Sequence, residues 1–427
     1  MPMHVIRMLF IPREQFPTDR VRINVLFGRE LLSRGHEIDL VMQAASDRVP
    51  TGPNDWHGRT VWVGRTDCRD GVFHRMHKHW LGFLHDMRLL RLARRAQYDV
   101  VLVSDKFITA SIAVLVAHAR GMKFMFWLTF PIPEADLDGA RAGTARYRWL
   151  VSIRGRVAAW LLYKWILPRS NHVFVQTDRM KRNVCAHGVD PAKVSAIVTG
   201  FGLSEISPID RESRLESGSS ITVAYLGTLN SSRRLDVLVD MLALLRSGGM
   251  DVKLLLVGHA ENPRDLLLLE KRAAERNVTQ YVEITGFLPQ SEALKRIVEA
   301  EICLSPIYRS PIFDVGSPTK LIEYLALGIP VVANDHPEQQ LILRETRAGV
   351  CVPWGARHFA RAVRWLMSRS RSERAEMGAR GRAWVERNRT YASIADNVER
   401  TCIEVVAGAS RDSDRDESRA RSATRAD

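Results

Sequence analysis

The stretch GSPTKLIEYLALGIPVVAND, residues 316–335, gathers residue types that could hold an anion and a hydroxylated ring side by side. Leu321, Ile322, Leu325 and Ala326 recur at helical spacing, so a short helix is predicted, with Ser317 as its cap and Pro318 in its first turn. Gly328 stops the helix, and Pro330 opens Val331, Val332 and Ala333, a run with the look of a strand buried on both faces. A helix start carries unpaired N–H groups and the positive end of the helix dipole, which attract phosphate, and Lys320 adds a full charge. Glu323, one turn further on, would repel phosphate but could accept hydrogen bonds from a ribose. The combination implies a sugar nucleotide.

The elements that must position such a helix are legible on both sides of it. VIRMLFI, HEIDLVM, DVVLVS, KFMFWL and HVFVQ are short apolar runs separated by amphipathic or basic stretches. A second set follows: ITVAYLG, VKLLLVG, VEITG, ICLSPI, IPVVAN and AGVCVP. Such alternation predicts α/β architecture, two Rossmann-like doubly wound domains facing across a cleft, with ligands at the carboxyl ends of the strands. The boundaries fall at 1–204 for the first domain, 205–220 for a polar linker and 221–389 for the second domain. A helix at 390–406 could pack back on the first domain, and 407–427, charged and without aliphatic bulk, reads as a disordered tail.

A chain of 427 residues, 46% hydrophobic and 26% charged, has room for two cores. Its five cysteines are scattered without a C-x-x-C pair, which argues against a disulfide framework or a zinc site and fits a reducing, cytoplasmic setting. No apolar run is long enough to span a bilayer. The formal charge of +14 calls for an anionic partner: nucleic acid, anionic lipid or a polyphosphate substrate. Neither a zinc finger nor an RNA-binding aromatic motif is present, which disfavours nucleic acid.

From residue 221 to about 390 the chain resembles the nucleotide-binding domain of GT-B glycosyltransferases, most closely the family 4 group with its many cell-envelope and polysaccharide enzymes. The blocks that carry this are AYLGTLNSSRRLDVL, LLLVGHA, VEITGFLPQSEALKRIVEAEICLSPI, SPTKLIEYLALGIPVVAND and AGVCVP. In the first half only Gln176-Thr177 and HGVDPAKVSAIVTGFG match in outline. The resemblance implies a retaining glycosyltransferase without a bound cofactor, and since no carboxylate cluster in the sequence suggests a divalent metal, the cationic side chains are expected to do a metal's work. Its donor would be a UDP- or GDP-linked sugar and its acceptor a glycan or lipid-linked hydroxyl.

By the same resemblance, Gly227, Arg233, Ser317, Thr319 and Lys320 would surround the donor diphosphate, with Arg233 where a lysine is usual and Thr228 in place of an arginine. Gly286, Phe287 and Leu288 would read the base, and Glu323 would hold the ribose. The first member of the family's glutamate pair is replaced by Val315, with Asp314 the nearest carboxylate. The Gly-rich loop expected after the first strand is replaced by IPREQFPTDRVRINVLFG, whose Arg13, Arg20 and Arg22 could meet an anionic acceptor. FWLTFPIPE stands where a histidine is common, leaving Thr129, Glu134 and Asp314 as candidate catalytic groups.

Plainer readings compete. Glu323 and Lys320 could form a solvated helical pair, Arg234 could displace Arg233, and Asp314 could merely cap a loop. The basic segments 75–95 and 146–169 could lie in the headgroups of an anionic membrane, at the inner face of the plasma membrane, or could be core helices with solvated faces. The second favours the membrane, because Trp149, Trp160 and Trp165 accompany Arg148, Arg154, Arg156 and Lys164. The functional rivals are a catalytically degenerate nucleotide-binding scaffold, a nucleic-acid-binding protein and, more remotely, a dehydrogenase, which lacks its G-x-G-x-x-G loop.

Overall fold

The computed structural model describes residues 5–18, 20–141, 147–202 and 220–423, with side chains as far as 408. The expected linker lies, but for Ser220, outside the described residues. The chain divides into two compact units, one of Met1–Val198 with Tyr391–Asp427 and one of Thr199–Thr390.

In the first unit the apolar runs become β1 (Arg7–Ile11), β3 (Glu37–Ala44), β6 (Val100–Ser104), β7 (Lys123–Leu128) and β8 (His172–Val175). Between them lie β2 (Gln15–Phe16) and a hairpin of β4 (Gly52–Trp56) and β5 (Arg59–Gly64), and β9 (Val194–Ala196) follows. Hydrogen bonding orders them β4-β5-β3-β1-β6-β7-β8-β9, with β2 beside β3, and only the hairpin is antiparallel. Leu9, Leu102, Phe126 and Phe174 are wholly buried, as central strands of a sheet covered on both faces require. The closing helix, Tyr391–Ala423, contributes Ile394, Ala395, Val398 and Cys402 to this core and is tied down by Glu399, which meets Arg34 at 2.6 Å and His36 at 3.0 Å. Its backbone continues past 406, where the sequence suggests a disordered tail. Beyond Gly408 the run holds no glycine or proline, the residues that interrupt a helix most strongly.

The second unit holds β10 (Ile221–Leu226), β11 (Val252–Val257), β12 (Val282–Ile284), β13 (Ile302–Ser305), β14 (Val331–Asn334) and β15 (Gly349–Val352). They form one parallel sheet ordered β12-β11-β10-β13-β14-β15, so the order reverses at β10, where β11 and β13 flank it on either side. Ligands of doubly wound sheets sit at such switch points, beyond the carboxyl ends of the strands.

The helix Thr319–Ala326, which follows β13, is fixed against that end from two sides. On one, the Leu226 N–H at the end of β10 donates to the buried Tyr324 hydroxyl at 2.8 Å. On the other, Gly328, left-handed at φ 69° after the helix, packs beneath Gly378 of the helix Arg371–Asn388. A Cβ on Gly378 would overlap the Gly328 carbonyl oxygen, so the two backbones approach as only glycine allows. Glycine inside a helix costs about 1 kcal/mol relative to alanine, so Gly378→Ala would stabilise an unconstrained helix. Here it is expected to destabilise by about 1–3 kcal/mol through overpacking, read as a lower denaturation midpoint; an unchanged or higher midpoint contradicts the close approach.

Candidate functional site

The start of the helix Thr319–Ala326 is left open. Its N-cap is Pro318, with no side-chain cap, and the Ser317 hydroxyl predicted to cap it is instead buried without a partner. The Ser317 carbonyl turns back to accept the Thr319 N–H at 2.9 Å, which leaves Ser317 outside capping geometry. The N–H groups of Lys320 and Leu321 find no acceptor among the described residues. Orphan donors at a helix start usually find a side chain, water or a ligand.

Lys320 leans across the end of β10. Gly227 follows that strand at φ 146°, and a Cβ there would overlap Lys320 Cε, so the glycine makes room for the lysine stem. The Gly227 N–H donates to Val257 O at 2.9 Å, and a Cβ on Gly258 would overlap the Gly227 carbonyl. Gly258 bridges to Gly286, itself left-handed at φ 73°, so three loops close together around glycine backbones. Phe287 is 70% exposed, with its ring edge-on to His259 at 5.4 Å, and Leu288 tucks partly into the core.

Neither Lys320 nor Glu323 has a side-chain hydrogen bond or ion pair among the described residues, although each senses the other electrostatically. Burial is the larger effect on both. It pushes the Lys320 ammonium below its ordinary range, with Arg233 adding like-charge repulsion, and pushes the Glu323 carboxyl up. Arg233 therefore lies within electrostatic reach of Lys320, and its guanidinium sits 5.4 Å from the Phe313 ring. Arg234 stacks on Tyr308 at 4.1 Å instead. Of the residues predicted to surround a diphosphate, the structure thus brings Gly227, Arg233 and Lys320 together, with Ser317 and Thr319 at the same helix start.

Asp314 is already engaged. Its buried carboxylate accepts from Arg309 at 2.6 and 2.8 Å, and Arg309 also donates to Asp335 O at 2.6 Å. This fork braces the loop between β13 and the helix.

The remaining candidates belong to the first unit. Arg13 and Arg20 are exposed, whereas Arg22 is half-buried, paired with Glu14 at 2.8 Å and stacked 5.1 Å from the Trp127 ring. Glu134 accepts from the Tyr163 hydroxyl at 2.5 Å. Thr129, just past β7, donates both its N–H, at 2.9 Å, and its hydroxyl to Asp105. Asp105 was not singled out by sequence reasoning. It follows β6 in the left-handed region at φ 55°, is buried, and has its carboxyl raised by that burial against the opposing Thr129 bonds. With Ser104, Arg22 and Glu14 it makes one polar cluster at the carboxyl ends of β6 and β7. Its only signal in the sequence is an acid directly after the apolar run VVLVS.

Two family models match this chain: Glycosyltransferase Family 4 over residues 22–205 and Glycosyl transferases group 1 over residues 220–369. The chain belongs to the family 4 glycosyltransferases. Among relatives of this family 4 protein is the amylovoran biosynthesis glycosyltransferase AmsK of Erwinia amylovora, 24% identical over 225 residues, 52% of this chain and 51% of that one. The putative colanic acid biosynthesis glycosyltransferase WcaL of Salmonella typhimurium is 22% identical over 192 residues, 45% of this chain and 46% of its own. The chain spans about half the length of the curated relatives it matches. In fold it matches the sucrose-phosphate synthase of Thermosynechococcus elongatus, with TM-score 0.73 and 15% identity over 94% of this chain and all of the other. HepE of Anabaena, solved with UDP and glucose, gives TM-score 0.67 and 14% identity over 93% of this chain and 99% of its own. The fold is therefore GT-B, built of two Rossmann-like domains.

The opposed shifts of Lys320 and Glu323 set a pH profile. A ligand that needs the ammonium charged and the carboxylate ionised loses affinity on the acid side above the ordinary carboxylate range. On the alkaline side it loses affinity below the ordinary lysine range. Titrating UDP-glucose, whose diphosphate diester does not itself titrate there, should give an acid limb drawn inward, and the alkaline limb, which the uracil N3–H shares, should move outward in Lys320→Arg. A profile flat out to the ordinary lysine and carboxylate ranges contradicts the shifts.

Proposed function

We propose that this family 4 protein transfers a sugar from a nucleoside diphosphate donor, UDP- or GDP-linked, to a hydroxyl of a growing envelope or exopolysaccharide glycan. The observation that carries the proposal is the pair of uncommitted, partly buried charges at one helix start, Lys320 and Glu323, beside orphan N–H groups and a glycine that leaves them room. Lys320, Arg233 and the helix N–H groups match a diphosphate, with the Ser317 and Thr319 hydroxyls and the Gly227 backbone completing its cradle. Glu323 matches the ribose hydroxyls. Gly286, Phe287 and Leu288 match a base, the exposed Phe287 ring offering an apolar face. UDP in the HepE structure favours a uridine donor.

In the reaction the bond from the anomeric carbon to the diphosphate oxygen breaks, a new bond forms to the acceptor oxygen, and the hydroxyl proton is released. Negative charge accumulates on the leaving diphosphate. Preorganised cations and N–H donors stabilise it without reorganising, a task that a divalent metal performs elsewhere. Retention of the anomeric configuration is part of this proposal. For the acceptor, Thr129 held by Asp105 is a better-supported polar contact than Glu134, which is bound to Tyr163, or Asp314, which is held by Arg309. Arg22, and the exposed Arg13 and Arg20, suit an anionic acceptor.

A thermal-shift screen of UDP-, GDP- and ADP-sugars tests the reading, because a ligand that binds only the folded state raises the unfolding temperature. A UDP- or GDP-sugar is expected to stabilise the wild type, and Glu323→Ala and Lys320→Ala each to remove that shift. Stabilisation undiminished in both variants would refute the assignment.

A further inference from the structure

Two helices of the first unit present aromatic and aliphatic side chains to solvent that no core claims. On the helix Val72–Asp86, Phe73 (86% exposed), Met76, Trp80 and Leu84 point outward at spacings of three and four. On the helix Arg148–Trp160, Trp149 (65% exposed), Ile153, Val157 and Trp160 do the same. At 3.6 residues per turn, each set falls within about 100° of its helix circumference, a continuous stripe rather than scattered exposure. The inner faces are accounted for. Gly155 and Ala158 are buried, and a Cβ on Gly155 would crowd Leu137 and Asp136 of the neighbouring helix Ile132–Arg141.

The charges carried by the two segments themselves are nearly all positive; of them, Arg154 is paired with Asp136 of the neighbouring helix at 2.6 Å, and Asp67 holds His74 and His77 at the start of the first helix. Residues 147–169 contain five Arg or Lys and no acid. Residues 72–95 contain six, and their one acid, Asp86, is buried against Lys106 at 2.7 Å and Thr109 at 2.8 Å. The two helices also lie within electrostatic reach of one another. The Lys78 ammonium and the Arg13 and Arg154 guanidiniums reinforce burial in lowering His79, which joins Arg154 of the second helix to the first. Lys78 Nζ donates to Gln15 at 3.4 Å, placing the loop that carries Arg13 alongside.

We infer that these two stripes form one docking face for an anionic lipid bilayer, with Phe73, Trp80, Trp149 and Trp160 seated at the headgroup boundary and the surrounding Arg and Lys meeting lipid phosphates. Aromatic residues over a basic rim match the two-layered chemistry of that interface. A second copy of this chain would have to bring together two faces of the same strong positive charge, which disfavours it. Among the described residues no helix is long and apolar enough to cross a membrane, so the contact is peripheral. The sequence reading favoured 146–169 alone; the structure adds the helix Val72–Asp86 as its partner. The inference is independent of the donor chemistry.

Co-sedimentation of the full chain with phosphatidylcholine vesicles, with and without phosphatidylglycerol, tests it. Binding is expected to be at least about tenfold stronger with the anionic lipid and to weaken as salt is raised. The surface variants Phe73→Ser/Trp80→Ser and Trp149→Ser/Trp160→Ser should each lose about tenfold while retaining the wild-type circular dichroism spectrum and thermal shift with UDP-sugar. Failure of the wild type to bind anionic vesicles, or binding undiminished in both variants, overturns the inference. A dimer seen by light scattering that the same substitutions dissolve would overturn it in favour of a second copy. Loss of the UDP-sugar shift in the wild type would instead strike at the donor reading and leave the vesicle result standing.

Discussion

A cation held against a glycine with no counter-ion is the constraint around which the second unit is arranged. Lys320 lies over Gly227, partly desolvated, repelled by Arg233 and only distantly answered by Glu323. Such a group destabilises the folded chain, because desolvation is not offset by a hydrogen-bonded partner. Ser317 Oγ and two helix N–H groups are left unsatisfied in the same place. The fold sustains this by anchoring the helix elsewhere, through Tyr324 on the Leu226 N–H and Gly378 on Gly328. Strain of this kind is what a preorganised anion site looks like before its ligand arrives.

Local chemistry explains why so much of this was legible in the sequence. The helix over 319–326, its stop at Gly328 and the buried strand after Pro330 depend on neighbours in the chain, so spacing alone exposes them. The parallel strands were legible for the same reason, as continuous apolar runs. The hairpin of β4 and β5 was not, because GPNDW lacks the alternation that marks a strand. Ser317 misled for a subtler reason: a serine before Pro-Thr-Lys has the composition of a cap, but the backbone at Pro318 turns its hydroxyl away.

Contacts distant in sequence were beyond reach. That Asp314 is spoken for depends on Arg309 folding back on it and on the loop held by Asn334, whose amide bonds both the N–H and the carbonyl of Ile307. That Asp105 matters depends on Thr129, one strand over. The first unit therefore carries a polar cluster that residue types alone did not single out, beside two helices whose outer faces are apolar. In each unit the unusual features lie where packing rules are broken: a charge without a partner in one, hydrophobic rings without a core in the other.

In the proposed binding mode Glu323 meets the ribose of a diphosphate gripped at the helix start. Calorimetric titration of UDP and 2′,3′-dideoxy-UDP into the wild type and Glu323→Gln tests it most directly. The wild type should bind the dideoxy analogue about tenfold more weakly, the scale of a charge-assisted hydrogen bond, and the variant should barely distinguish the two. An undiminished preference for the intact ribose in Glu323→Gln would show that Glu323 does not hold it.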